Sequence, residues 1–174
     1  MKKSSLLLLI LCSIHIAQAQ YRLNKGNAQL NAGVGFSGWG IPVYFGFDYG
    51  VHRDISVGGE VSFRSYSNRY GYANDYYSHQ IFGILANGNY HFNTLLSIPK
   101  EWDFYAGLNL GFYYWSSPSG FKNEYYNDGF RGSGIGIGAQ VGGRYYFNNH
   151  WGLNLEVGGG NYFGGGKFGV TYAF

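Results

Sequence analysis

The sequence predicts an all-β fold, an eight-stranded antiparallel up-and-down transmembrane β-barrel. Three observations carry that prediction. Apolar residues recur with period two in eight successive segments, the signature of strands. The alternate positions hold Gly, Asn, Gln and scattered charge while the apolar positions run on unbroken, as expected when lipid lies outside and a polar lumen inside. Aromatic residues gather at both ends of the apolar face, like two interfacial girdles.

Composition points the same way. The 174 residues include 30 Gly, 14 Phe, 18 Tyr and 4 Trp, with only 12% charged residues. A disordered chain would be rich in charge and poor in aromatics. A helical bundle would not carry glycine at this density, since each interior Gly costs about 1 kcal/mol relative to Ala. A collagen-like chain would show a strict Gly period and far more than 3 Pro.

Residues 1–19 read as a cleaved signal peptide. Met1-Lys2-Lys3 is a positive start, Leu6 to Leu11 is an apolar run, and Ala17-Gln18-Ala19 is an A-x-A cleavage site. The run is too short to span a membrane as a helix. A lipoprotein reading through Cys12 is disfavoured, because Leu11 stands where a small residue is needed. Domain 20–174 is then the barrel. It has no cysteine, and removing Lys2 and Lys3 leaves 10 basic against 9 acidic residues. With no basic cluster, nucleic acid is not an expected partner.

The elements follow in order. Segment one, Ala28 to Ser37, sets Leu30, Ala32, Val34 and Phe36 against Gln29, Asn31, Gly33 and Gly35. Segment two, Ile41 to Tyr49, sets Val43, Phe45, Phe47 and Tyr49 against Tyr44, Gly46 and Asp48. Segment three, Ile55 to Tyr66, sets Val57, Val61 and Phe63 against Ser56, Gly58, Glu60 and Arg64. Segment four, Gln80 to Phe92, sets Phe82, Ile84, Ala86 and Tyr90 against Asn87, Asn89 and His91.

Segment five, Asp103 to Trp115, sets Phe104, Leu108, Leu110 and Phe112 against Asp103, Tyr105, Asn109 and Tyr113. Segment six, Ser133 to Phe147, sets Ile135, Ile137, Val141 and Tyr145 against Gly134, Gly136, Gly138, Gln140, Gly142 and Arg144. Segment seven, Trp151 to Phe163, sets Leu153, Leu155 and Val157 against Asn154 and Glu156. Segment eight, Lys167 to Phe174, sets Phe168, Val170, Tyr172 and Phe174 against Lys167, Gly169 and Thr171. The expected girdles are Phe47, Tyr49, Tyr90, Phe92, Phe104, Tyr145, Phe147, Trp151, Tyr172 and Phe174 at one end. At the other they are Phe36, Phe63, Phe82, Phe112, Tyr114, Phe163 and Phe168.

Connections alternate too. Residues 50–54, 93–102 and 148–150 are expected at the periplasmic end, with both termini. Two long loops, Ser67 to His79 and Ser116 to Gly132, and tight turns at 38–40 and 164–166 are expected outside.

These features resemble the small eight-stranded outer-membrane β-barrels of Gram-negative bacteria, of the OmpX and OmpA-transmembrane-domain type. The resemblance covers Gln20 to Phe174. Its most specific element is the ending, where Phe168, Val170, Tyr172 and the terminal Phe174 are similar to the signal read by the barrel-assembly machinery. The resemblance implies an outer-membrane location, contact with outer-membrane lipid and a monomer. It says little about activity, since one fold hosts many functions.

Candidate sites follow from strand parity. The inward charges are Asp48, Glu60, Arg64, Asp103, Arg144, Glu156 and Lys167. Across the turn between segments six and seven, Arg144 falls opposite Asn154 and diagonal to Glu156. An eight-stranded interior is just wide enough for side chains to fill, which favours a bonded ionic plug over a proton or ion path. The inward glycines 134, 136, 138 and 142 are expected to admit Tyr105, Tyr113 and Tyr162, with a small ligand cavity as the alternative. The long loops carry Tyr66, Tyr70, Tyr72, Tyr76, Tyr77, Tyr125 and Tyr126 among Asn, Ser and Gly. That composition suits protein or glycan contact, or equally a solvated strand extension.

Some relatives in fold modify lipid A, and the deacylase among them carries a His-x-Ser element. None of His52, His79, His91 and His150 is followed two residues on by Ser. No nucleophile and base are paired in the sequence, so an enzyme is not expected. No cofactor or metal is expected either: Cys/His ligand spacing is absent and the acids form no calcium loop.

Overall fold

In the computed structural model the chain forms one closed antiparallel barrel. The structure describes residues 23–38, 40–70, 75–116 and 132–174, with the backbone alone at 66–70 and 75–79. The strands are β1 (Ala28–Ser37), β2 (Val43–His52), β3 (Ile55–Tyr70), β4 (Asp75–His91), β5 (Trp102–Ser116), β6 (Gly134–Tyr146), β7 (Trp151–Gly160) and β8 (Gly164–Ala173). Each pairs with its neighbour in sequence, and β8 returns to β1 from Gln29↔Ala173 to Ser37↔Gly165. Closure leaves no open edge, the condition for strands to cross hydrocarbon.

The alternation sorts as two surfaces. Outward residues such as Val43, Phe45, Ile84, Leu108, Leu110, Ile135 and Ile137 are exposed on the wall. Inward residues on the same strands are buried, most clearly along β2 and β7. A soluble barrel would invert this arrangement, because each large apolar side chain left in water forgoes roughly 1.5–3 kcal/mol.

The girdle at the end bearing Phe174 is built of separate clusters of ring contacts. Trp102 stacks on Phe104 at 5.5 Å and meets Tyr145 at 4.8 Å. Trp151 meets Tyr172 at 4.8 Å, and Tyr172 meets Phe174 at 5.3 Å. At the opposite end Phe63 and Phe82, cross-strand partners, lie 4.8 Å apart. Phe163 departs from the expected girdle. It turns inward and packs beside Ile81, Leu85 and Tyr113. Strand β7 ends at Gly160, so the period-two count no longer applies at Phe163.

Several boundaries differ from the sequence reading. β8 begins at Gly164, so the turn expected at 164–166 is strand and the connection lies at 161–163. β2 begins at Val43 rather than Ile41, because Pro42 has no N–H to donate to a ladder. Its carbonyl accepts from Gly35 N at 2.7 Å. β3 and β4 run on to Tyr70↔Asp75, so most of the expected loop 67–79 is a hydrogen-bonded hairpin arm. β7 is shorter by the three residues 161–163.

The segment just before β1 packs on the end of the barrel that bears Phe174. Leu23 is buried against Tyr146 and Ala173. Gly26 N donates to Gly50 O at 2.8 Å. The backbone approach here is close enough that a Cβ on Gly50 would sit 2.0 Å from Asn24 O. Glycine at 50 is therefore required by contact rather than by conformation.

Candidate functional site: the lumen

The inward side chains form three layers. The layer nearest the termini is built around Arg144, which lies directly opposite Asp103 on β5 and opposite Asn154 on β7. Its Nη2 donates to Asp48 at 2.7 Å and its Nη1 to Asp103 at 3.0 Å. The guanidinium lies over the Tyr105 ring at 4.1 Å. Asp48 Oδ2 also accepts from Gln29 at 3.0 Å and Asn31 at 2.9 Å. Thr171 donates to Asn31 at 2.7 Å, and Tyr146 to Gln29 at 2.7 Å. Arg144, Asp48 and Asp103 are all buried. Buried charge is tolerable only when paired and hydrogen-bonded in this way.

The middle layer joins opposite walls. Lys167 Nζ reaches Glu60 at 2.7 Å and Glu156 at 2.6 Å. Tyr105 donates to Glu156 at 2.9 Å and Tyr44 to Asn154 at 3.1 Å. A side-chain amide relay runs from Asn109 to Gln140 at 3.0 Å and on to Asn89 at 2.8 Å.

The third layer is more apolar. Ile81, Leu85 and Tyr113 form a cluster with Trp115, Tyr162 and Phe163 beside it. Tyr113 and Tyr162 stack at 5.6 Å with nearly parallel rings. The inward glycines make this filling possible. A Cβ on Gly136 would stand 2.5 Å from the Tyr113 ring, on Gly134 2.2 Å from the Tyr162 hydroxyl, and on Gly142 2.4 Å from the Tyr105 ring. Gly138 accommodates Phe163 in the same way.

The space left over is small. A cavity of about 60 Å³ reaches from the third layer down to Glu60, Glu156 and Lys167, and one of about 10 Å³ lies in the middle layer between Tyr105, Glu156 and Lys167. One water takes about 30 Å³ in the liquid, and a drug-sized ligand needs roughly 300 Å³ or more.

All seven charged residues singled out in the sequence point into the lumen. Six join two ionic groups: Asp48, Asp103 and Arg144, and Glu60, Glu156 and Lys167. Arg64 joins neither. Phe168, Val170, Tyr172 and Phe174 lie on or just past β8, with Phe168, Val170 and Phe174 exposed on the outer wall. Tyr72, Tyr125 and Tyr126 fall outside the described residues, as do the side chains of Tyr66, Tyr70, Tyr76 and Tyr77.

One expectation is overturned. The sequence offered no nucleophile beside a base, yet Ser56 Oγ lies 2.9 Å from His91 Nε2, and His91 Nδ1 lies 2.7 Å from Asp103 Oδ1. A carboxylate only accepts, so a neutral His91 donates from Nδ1 and receives the Ser56 proton at Nε2. The signal was hidden in register. Ser56 pairs with Asn89, which sets His91 diagonal to it, and Asp103 follows across the next turn. The row has relay geometry without access, because Ser56 is 0% exposed and Asp103 is shared with Arg144. An attacking hydroxyl must also reach a substrate carbonyl beside oxyanion donors. Among the described residues, no group of three or more His, Cys, Asp or Glu is placed to hold a metal.

The polar filled lumen and the apolar outer wall decide the class. The chain is a membrane-spanning β-barrel. Its fold is that of small Gram-negative outer-membrane proteins. It is similar to the outer membrane protein OprG of Pseudomonas aeruginosa, with TM-score 0.63 and 11% identity over 87% of this chain and 97% of that one. It is also similar to Neisserial surface protein A, with TM-score 0.55 and 16% identity over 85% and 95%. A third is the attachment invasion locus protein Ail of Yersinia pestis, in complex with the heparin analogue sucrose octasulfate. That pair has TM-score 0.52 and 12% identity over 86% and 99%. No family model and no curated protein matches the chain. At these identities the likeness speaks for fold alone.

Proposed function

We propose that this outer-membrane barrel is a scaffold with a bonded, non-conducting lumen, and that its work is surface contact through the hairpin arm 67–79 and the connection 116–132. The observation that carries this reading is the middle layer. Glu60, Lys167, Glu156 and Tyr105 cross the lumen, with about 10 Å³ on one side of the crossing and about 60 Å³ on the other. A filled interior leaves the outer rim as the surface where a partner can be met.

The connections carry tyrosine among small polar residues, a composition that gives large contact area at low conformational cost. Their charges cancel: Arg69 against Asp75, and Lys122 and Arg131 against Glu124 and Asp128. That balance favours a neutral saccharide or a protein surface met by stacking over a polyanion drawn by charge. A solved structure of Ail with a heparin analogue is a precedent in fold for saccharide contact, there with a sulfated ligand rather than a neutral one.

The test uses the full barrel in lipid nanodiscs on an immobilised panel of neutral and sulfated oligosaccharides. A second protein has both connections replaced by short Asn-Gly turns. The expected result is retention by the parent and loss by the trimmed barrel, with both still showing the gel shift of a folded barrel. Equal retention of the two proteins contradicts the reading.

A further inference from the structure

We infer that the outer third of the lumen is a binding site for one small oxyanion group, a carboxylate or sulfate, held by Arg64. The inference is independent of what the long connections contact.

Arg64 is the one inward charge that stands outside both ionic groups. It is 5% exposed, and none of the described ion pairs includes it. Nη1 donates to Ser37 Oγ at 3.2 Å, and the guanidinium lies 5.9 Å from the Tyr113 ring centre. Nη2 is buried and has no hydrogen-bond partner. Arg144, in the opposite third, gives both terminal nitrogens to carboxylates. A buried cation with no carboxylate in contact carries a desolvation cost of several kcal/mol, so the two arginines pose different chemical problems.

The cavity beside Arg64 has the size for a solution. Its volume of about 60 Å³ is bounded by Arg64, Ser37, Leu85, Tyr113 and Phe163. That volume suits one carboxylate or sulfate group and excludes a whole metabolite. Guanidinium binds such groups through paired N–H donors, which makes Arg rather than Lys the fitting residue. The inner end of the cavity carries Lys167 between Glu60 and Glu156, a group of net charge -1, and the unpartnered Oδ1 atoms of Asn87 and Asn109. That net negative charge disfavours an anion there and leaves it the Arg64 end. Glu60 is four residues along β3 from Arg64, roughly 13 Å at strand rise.

The oxyanion has two sources, a free small ion or the tip of a larger acidic molecule entering from outside. One titration addresses both. Folded, nitrogen-15-labelled protein in dodecyl maltoside is titrated at constant ionic strength with sodium acetate, sodium sulfate and a sulfated disaccharide. The Arg64 and Arg144 Nε–Hε resonances are followed, with sodium chloride making up the ionic strength.

A saturable shift at Arg64 with no shift at Arg144 is the expected result. Saturation by the disaccharide at tenfold lower concentration than sulfate assigns a larger molecule as the source. Equal saturation assigns the free ion. The Arg64→Gln barrel is expected to lose the saturable rise of thermal midpoint that acetate gives the parent. A drift at Arg64 that is linear in every titrant, matched at Arg144, overturns the proposal. It would mean that water alone solvates the cation.

Discussion

Replacing Arg144 with Met tests how the lumen is held. Arg144 gives one hydrogen bond to Asp48 at 2.7 Å and one to Asp103 at 3.0 Å, and its plane covers Tyr105 at 4.1 Å. All three partners are buried. Met fills much of the volume but leaves Asp48 facing only neutral donors and Asp103 facing His91 alone. Breaking a buried pair by removing one partner costs about 3–5 kcal/mol, because an uncompensated charge remains. A loss of that size is therefore expected for Arg144→Met. Arg144→Lys keeps the charge but not the fork that serves two carboxylates at once, so it is expected to lose less. Adding Asp48→Asn to Arg144→Met removes one stranded charge and is expected to recover part of the loss, since residues in one network do not add independently. The assay is urea unfolding of barrels in lipid vesicles, read by tryptophan fluorescence and by the folded fraction on unboiled gels. A loss under about 1 kcal/mol for Arg144→Met would refute the reasoning, since only a hydrated surface-like pair is worth so little.

Further outcomes follow from the same geometry. Gly142→Val is expected to destabilise the barrel by about 1–3 kcal/mol through overpacking against Tyr105, which Glu156 and Arg144 hold in place. Gly159→Ala, with nothing within 4 Å of the new Cβ, is expected to leave the folded fraction unchanged. Leu108, 69% exposed near the middle of β5, tests the lipid face. Leu108→Lys is expected to cost roughly 2–4 kcal/mol in vesicle unfolding if that face lies at the bilayer midplane. Ser56 is expected to remain unlabelled by a fluorophosphonate in the folded barrel, and mass spectrometry of the Ser56 peptide checks this.

Much of the fold was legible because the outer wall and the lumen impose opposite polarities on alternate residues. β1 matches its expected bounds because its Gln, Asn and Gly face inward against Leu, Ala, Val and Phe. The polarity contrast vanishes where both faces are apolar: Ile81 and Leu85 keep the inward parity of Asn89 and His91, but in the run Gln80-Ile-Phe-Gly-Ile-Leu-Ala86 nothing polar marks that face. Parity failed at Phe163, past the end of β7. The Arg144–Asn154 pairing was legible because a short turn at 147–150 fixes the register between β6 and β7. Ser56 and His91 were not, because their strands are joined by a long hairpin whose register composition does not specify. Arg64 was visible as an inward charge, but its lack of an acid appears only when the cross-lumen partners are assigned.

The filled lumen is tested most directly by electrical recording from the purified barrel in a planar bilayer. The account predicts a quiet membrane with no reproducible unitary steps, because the middle layer around Lys167 leaves about 10 Å³. Unitary steps of fixed size that Arg64→Gln or Glu156→Gln alters or abolishes would contradict it and place an ion path through these residues.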